Sequence, residues 1–130
     1  EPFGFWRGMC LGVKGKLPIP LSIEEVACKV LRPGKSANTI LPFGKKQIST
    51  VGIISGGASE DIEAAVNEKL DCDITGEFAH EQFHYAKENL INVIGGGHYE
   101  TETVGVNLIM KKVQAELNLA SIFIESETNL

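Results

Sequence analysis

Between residues 47 and 102 the sequence runs three times through one pattern: a short stretch of β-formers, a break at small residues dominated by glycine, then an amphipathic segment. The stretch 47–54 ends at Ser55-Gly56-Gly57. The stretch 72–75 runs into Thr75-Gly76-Glu77, and 91–94 into Gly95-Gly96-Gly97-His98. Neighbouring parallel strands need a crossover, usually a helix, so this order predicts an α/β fold. The expected sheet is mixed but mostly parallel, with helices on both faces. A short, largely apolar run such as 91–94 suits a strand buried on both sides.

The helices of these units are expected at 59–70, 78–88 and 101–118. Ser59-Glu60-Asp61 offers a cap and two acids at the positive end of the helix dipole. Ile62, Ala65, Val66 and Leu70 share one helical face, as do Val106, Ile109, Met110, Val113 and Leu117 on the longest helix. Upstream, residues 3–17 read as extended chain, broken by Pro18 and Pro20. A helix follows at 22–31, opened by the capping-box pair Ser22 and Glu25 and closed by Pro33-Gly34. Residues 36–41 read as a strand and Pro42-Phe43-Gly44 as a turn. Residues 120–125 complete the order as a final strand, giving α-β-(β-α)3 plus one strand. No repeat, linker or low-complexity tract divides the chain, so 1–130 reads as a single domain.

The net charge of -5 argues against a nucleic-acid partner, because phosphate binding needs a concentrated basic face. Lys45-Lys46 and Lys111-Lys112 are too short to supply one. No apolar run reaches the ~18 residues of a membrane span, and no signal peptide is visible. Three widely spaced cysteines, Cys10, Cys28 and Cys72, give neither a disulfide framework nor a metal knuckle. Reduced, buried thiols in a cytoplasmic protein are expected. Phe5 and Trp6 are expected in the core rather than stacked on a ligand. The chain opens on Glu1 and an apolar stretch, which suggests the interior of a longer protein.

In parallel sheets, ligands sit where strands end and helices begin. The three glycine breaks all meet that condition and should line one sheet edge. His98 and Glu102 are one helical turn apart, and imidazole plus carboxylate suits zinc, manganese, iron or nickel. Glycine lets the backbone approach closely there. The same spacing also fits a histidine at a helix start with a glutamate offsetting the dipole. Glu77 and His80 are expected beside the metal, orienting a ligand or relaying a proton. His80-Glu81-Gln82-Phe83-His84 satisfies the H-E-x-x-H spacing of zinc proteases, although a short helix in an α/β layer is the wrong setting. Gly56-Gly57 lacks the remainder of a phosphate loop and reads as a tight turn.

Gly97-His98-Tyr99-Glu100-Thr101-Glu102 resembles the G-H-x-x-[ST]-E signature of the NGG-interacting-factor-three-like family, whose members are also called GTP cyclohydrolase type 2 homologues. Thr75-Gly76-Glu77-Phe78-Ala79-His80 is similar to that family's T-G-[DE]-x-x-H segment. Residues 51–58 resemble its strand and glycine turn, and Pro2-Phe3-Gly4-Phe5 an extended segment before them. The resemblance implies a dinuclear metal centre, with His98 and Glu102 as the carboxy-terminal ligands. The remaining ligands, a His-His pair and an Asp, would lie in an amino-terminal half. The chain then corresponds to the carboxy-terminal part of a longer dinuclear metal protein, inactive alone, whose intact relatives form hexamers. Two ions sharing a water would generate hydroxide near neutral pH. They would hydrolyse a nucleotide or another small phosphate-containing molecule. A non-catalytic metal-binding or protein-interaction scaffold is the alternative.

Overall fold

A computed structural model describes residues 1–128. The first third of the chain forms strand β1 (Pro2–Trp6), strand β2 (Met9–Leu21), helix α1 (Ile23–Val30) and strand β3 (Thr39–Pro42). Then come β4 (Ile48–Ile54), α2 (Ile62–Asn67), β5 (Cys72–Thr75), α3 (Phe83–Glu88), β6 (Asn92–Gly95) and α4 (His98–Leu117). The six strands form one sheet in the order β1-β2-β4-β5-β6-β3. The α/β class and the mixed sheet are as expected. The parallel part is confined to β4-β5-β6, and every other pairing is antiparallel.

Side-chain alternation builds a core on each face. On one face, Cys72 and Ile74 of β5 and Ile94 of β6 pack with Val26 and Ala27 of α1. On the other, Val93 of β6 packs with Phe3, Ile54, Ile62 and Ala65, together with Ala86 of α3. Helix α1 forms where expected: the Ser22 hydroxyl accepts from the Glu25 N–H, and the Glu25 carboxylate accepts from the Ser22 N–H. This closes a capping box that satisfies two otherwise orphaned donors.

Several expectations are corrected. Pro18 and Pro20 do not end the extended chain, because β2 runs through them. Its pairing with β4 shifts register between Lys16 and Leu21, and proline costs nothing where the ladder needs no N–H. The helices expected at 59–70 and 78–88 are shorter, each entered through a single 3-10 turn at Ser59–Asp61 and His80–Gln82. Ser59 caps nothing; its hydroxyl accepts from the Ala79 N–H instead. Residues 120–125 form no strand. Glu125 pairs with Arg32 at 2.5 Å and Glu127 with Lys35 at 2.6 Å, while Ile122 and Ile124 stay exposed. On α4, Val106, Ile109 and Leu117 are exposed and only Thr103 is buried. Phe5 and Trp6 are exposed rather than core, as are Cys10 and Cys28; only Cys72 is buried. Among the described residues, no helix is long and apolar enough to cross a membrane.

Candidate metal centre

The parallel register sets the site. Ile54 lies opposite Thr75, and Thr75 opposite Gly95, so β4, β5 and β6 end at one level. Their three following loops therefore leave the sheet side by side. Backbone hydrogen bonds then fasten them together. The Gly56 carbonyl accepts from the N–H groups of Gly76 and Glu77, both at 3.0 Å, and the Gly76 carbonyl from Gly97 N–H at 2.8 Å. The Thr101 hydroxyl, on the first turn of α4, accepts from Gly56 N–H at 3.0 Å and lies 3.0 Å from the Gly97 carbonyl.

This close approach requires glycine. A Cβ on Gly76 would stand 2.6 Å from the Gly56 carbonyl oxygen. Gly56 itself has φ +72°, and a Cβ there would stand 2.6 Å from Glu102 Oε1 and 3.3 Å from His98 Nε2. The Gly56-Gly57 break, read from sequence as a tight turn, is thus the bed on which two candidate ligands lie. What pointed to it was its position: a glycine pair ending a buried strand.

Helix α4 begins at His98, earlier than expected, so His98 and Glu102 both lie within its first turns and on one face. The imidazole sits between two carboxylates. Nδ1 is 2.6 Å from Glu77 Oε1, and Nε2 is 3.3 Å from Glu102 Oε1. A carboxylate at hydrogen-bond distance from Nδ1 holds the proton there and leaves the Nε2 lone pair for a cation. Two donor atoms ~2.0–2.2 Å from one ion, at tetrahedral to octahedral angles, are roughly 3 to 3.5 Å apart. The 3.3 Å separation of Nε2 and Glu102 Oε1 falls in that range. The three side chains are 39–57% exposed, so the site opens to solvent.

The donor set is incomplete within this chain. Glu77 addresses the opposite ring nitrogen from Glu102, and the described residues contain no group of three or more His, Cys, Asp or Glu able to hold one ion. A pair of donors fits half of a metal site. His80 and His84 are exposed, and no hydrogen bond or ion pair joins either to Glu77, His98 or Glu102 among the described residues. Of the H-E-x-x-H pair, His80 lies in the 3-10 turn and His84 in α3, which follows it. Glu100, inside the same signature as His98, faces elsewhere. Arg32 grips it with two bonds of 2.8 and 2.9 Å and Lys35 adds a third contact, and the Arg32 guanidinium holds its carboxyl below the usual range.

Beside the centre lies a cleft of about 590 Å³, reached past Gly57 and Glu77 and walled by Trp6, Leu11 and Phe78, with Glu60 and Asp61 on it. Sequence reasoning missed this cleft because it placed Trp6 in the core. The β1-β2 hairpin instead turns at Arg7 and Gly8, both at positive φ, and presents Trp6 at its tip.

The fold and the centre define a mixed α/β protein with an imidazole held between two carboxylates at the carboxyl ends of its parallel strands. The Duf34/NIF3 (NGG1p interacting factor 3) family matches residues 7–130, and the chain belongs to that family. It is 39% identical over 110 residues to a "GTP cyclohydrolase 1 type 2 homolog" of Treponema pallidum, covering 85% of this chain and 38% of that protein. A protein of the same name from Archaeoglobus fulgidus is 36% identical over 130 residues, covering all of this chain and 51% of the relative. The chain thus spans about half, or less, of the length of these relatives. In fold it is similar to the protein ybgI, of unknown function, with a TM-score of 0.84 at 24% identity over 94% of this chain and 50% of that one. A Bacillus cereus protein related to NIF3 gives a TM-score of 0.67 at 21% identity over 83% of this chain and 30% of that one.

Proposed function

We propose that this chain carries one half of a dinuclear metal centre, with His98 and Glu102 as ligands to a divalent ion and Glu77 as the residue that positions His98. The observation that carries the reading is the imidazole between two carboxylates, one at hydrogen-bond distance from Nδ1 and one at ligand-pair distance from Nε2. A structural histidine at a helix start would need one carboxylate to offset it. It would not need a second on its other nitrogen, nor a glycine bed cleared of side chains.

A divalent ion bound there would supply Lewis-acid chemistry and activate water near neutral pH. Glu77 accepts a hydrogen bond from Nδ1–H and so fixes the tautomer that leaves Nε2 free. Glu102 offers its carboxylate on the same side as Nε2, and the Gly56 backbone leaves room for both. Among the described residues no hydrogen bond or ion pair ties His80 to this group, so a proton-relay part for it would need the bound substrate or the remaining ligands to complete it. The missing donors would come from the remainder of a longer protein, acting as a homo-oligomer in the cytoplasm. The reaction class is hydrolysis of a nucleotide or another small phosphate-containing molecule, and the name shared by the curated relatives supports it by analogy alone.

A second reading, a metal-binding or interaction scaffold, is favoured by one feature: the apolar side chains left exposed along α4, among them Leu108 and Ile109. Calorimetric titration with zinc and with manganese separates a ligand pair from a structural histidine. Wild type should bind saturably, His98→Ala should not, and Glu77→Gln should bind ~10–100-fold more weakly. Equal binding by wild type and His98→Ala would rule the centre out. Turnover of a nucleotide by the full-length protein, lost in Glu102→Ala, would favour the hydrolase over the scaffold.

A further inference from the structure

The apolar stripe of α4 is not absorbed by the metal reading, yet it starts at the candidate ligands. At about 3.6 residues per turn, Val106, Ile109, Val113 and Leu117 fall with His98 and Glu102 in one arc of about 100°. The helix is twenty residues long, and of these only Thr103 is buried. Val106, Ile109 and Leu117 are more than half exposed. Ile109, Val113 and Leu117 line a shallow groove of about 180 Å³, flanked by the Lys112–Glu116 ion pair. An apolar centre with a charged rim is the make-up of a protein interface, and an exposed patch of this kind marks a surface that another body covers. The chain's own tail does not cover it. Phe123 meets the far side of the helix, where it shares a hollow with Val104 and Leu108.

We infer that this stripe is the docking surface for the remaining half of a longer protein, and that the same body brings the missing donors to His98 and Glu102. The inference rests on the metal reading for its second clause only; docking does not need the ion. Geometry selects that occupant over a second copy of this chain. An antiparallel copy centred on Ile109 would hold the two His98 residues roughly 33 Å apart, at ~1.5 Å of rise per residue. It would cover the stripe and leave both ligand pairs incomplete. A parallel copy would bring its own Gly56 loop to the side of α4 where this one already lies against His98 and Glu102. A body of different shape meets neither obstacle. The curated relatives indicate its size: this chain spans about half of their length, or less, which leaves a second unit at least comparable to it. Docking also supports the helix itself. An isolated helix is marginal in water, and beyond Thr103 no residue of α4 is buried against its own domain. The docked body would hold the helix and, through its first turns, the ligand pair.

Hydrogen exchange compares this chain with the full-length protein. Amides of residues 106–117 should exchange on the order of 100-fold more slowly in the full-length protein. Ile109→Glu and Leu117→Glu, both at positions exposed in this chain, should change its own stability little. In the full-length protein the same substitutions should lower the melting temperature by several degrees and weaken zinc binding about ten-fold. Equal exchange in the two proteins, or a full-length protein indifferent to both substitutions, overturns the proposal. So does a full-length dimer that Ile109→Glu splits into monomers in sedimentation, because a second copy is then the occupant. His98→Ala separates this inference from the metal reading: it should abolish zinc binding and leave residues 106–117 protected. Protection without zinc binding by the wild type refutes the metal centre alone. Zinc binding with the stripe unprotected refutes the docking surface alone.

Discussion

Asp73 should make this fold lose stability as the pH rises through neutrality, the opposite of the usual carboxylate. Its side chain projects from the middle of β5, is 2% exposed, and leaves Oδ2 without a hydrogen-bond partner. Burial pushes its pKa up to about 7, and the nearby Asp61 carboxylate adds to the effect. An unfolded aspartate titrates near ~3.9. The folded state therefore holds its proton to higher pH than the unfolded state does. The Asp73 contribution is constant below about pH 4, falls between about 4 and 7, and is level above that. At about 1.4 kcal/mol per pH unit, the span amounts to at most about 4 kcal/mol. Asp73→Asn removes the ionisation. Urea unfolding of both proteins at pH 4, 6 and 8 measures the consequence. The variant should gain on wild type by about 2–4 kcal/mol between pH 4 and 8. Any fixed cost of seating the carboxamide cancels in that difference. A stability difference that is the same at all three pH values would refute the reasoning, because it would mean that Asp73 titrates alike in both states.

Three further outcomes follow from particular geometries. Leu90 sits after α3 at φ +52° with its side chain 71% exposed, so Leu90→Gly should stabilise by about 1 kcal/mol, read as a higher urea midpoint with unchanged slope. Gly56→Ala meets both a left-handed φ and Glu102 Oε1; it should cost about 1–2 kcal/mol and weaken zinc binding in the same preparation. Glu100 is held below its usual pKa by Arg32, so its contribution is present above about pH 4 and lost as acid protonates it. Glu100→Gln should lower the melting temperature by a few degrees at pH 7 and by less as the pH is lowered into the acid range, as followed by circular dichroism.

The parts of the fold legible in the sequence were those fixed by local chemistry. Ser22 and Glu25 specify the start of α1 because both partners of the capping box lie within four residues. The strand 72–75 was found because a short segment ended by glycine lies between two helical patterns, where the chain must cross the sheet. What misled was information the chain holds only in three dimensions. Pro18 and Pro20 look like breakers until the β2–β4 register shift places them where no ladder bond is required. Residues 120–125 have the composition of a strand, but Glu125 is drawn to Arg32, just past the end of α1, and the segment joins no ladder of the sheet. The stripe on α4 was read correctly as apolar; periodicity says which face is apolar, not what covers it.

The candidate centre was legible for a different reason. A parallel register brings the ends of β4, β5 and β6 to one level, so residues just after each strand must meet whatever the details of the helices. That argument selected Glu77 and His98, and helical spacing added Glu102. It could not rank residues further along each loop: His80, three residues past Glu77, lies in a 3-10 turn, and only coordinates show how far it stands from the imidazole. Nor could it assign Gly56, whose role appears only when a Cβ is set against Glu102 and His98. Spacing identifies which backbone positions converge, whereas the tautomer depends on a single 2.6 Å contact between Glu77 and Nδ1. That contact distinguishes a histidine poised to donate Nε2 from one that merely ends a loop, which is why Glu77→Gln tests the positioning of the imidazole, a question that removal of either ligand leaves open.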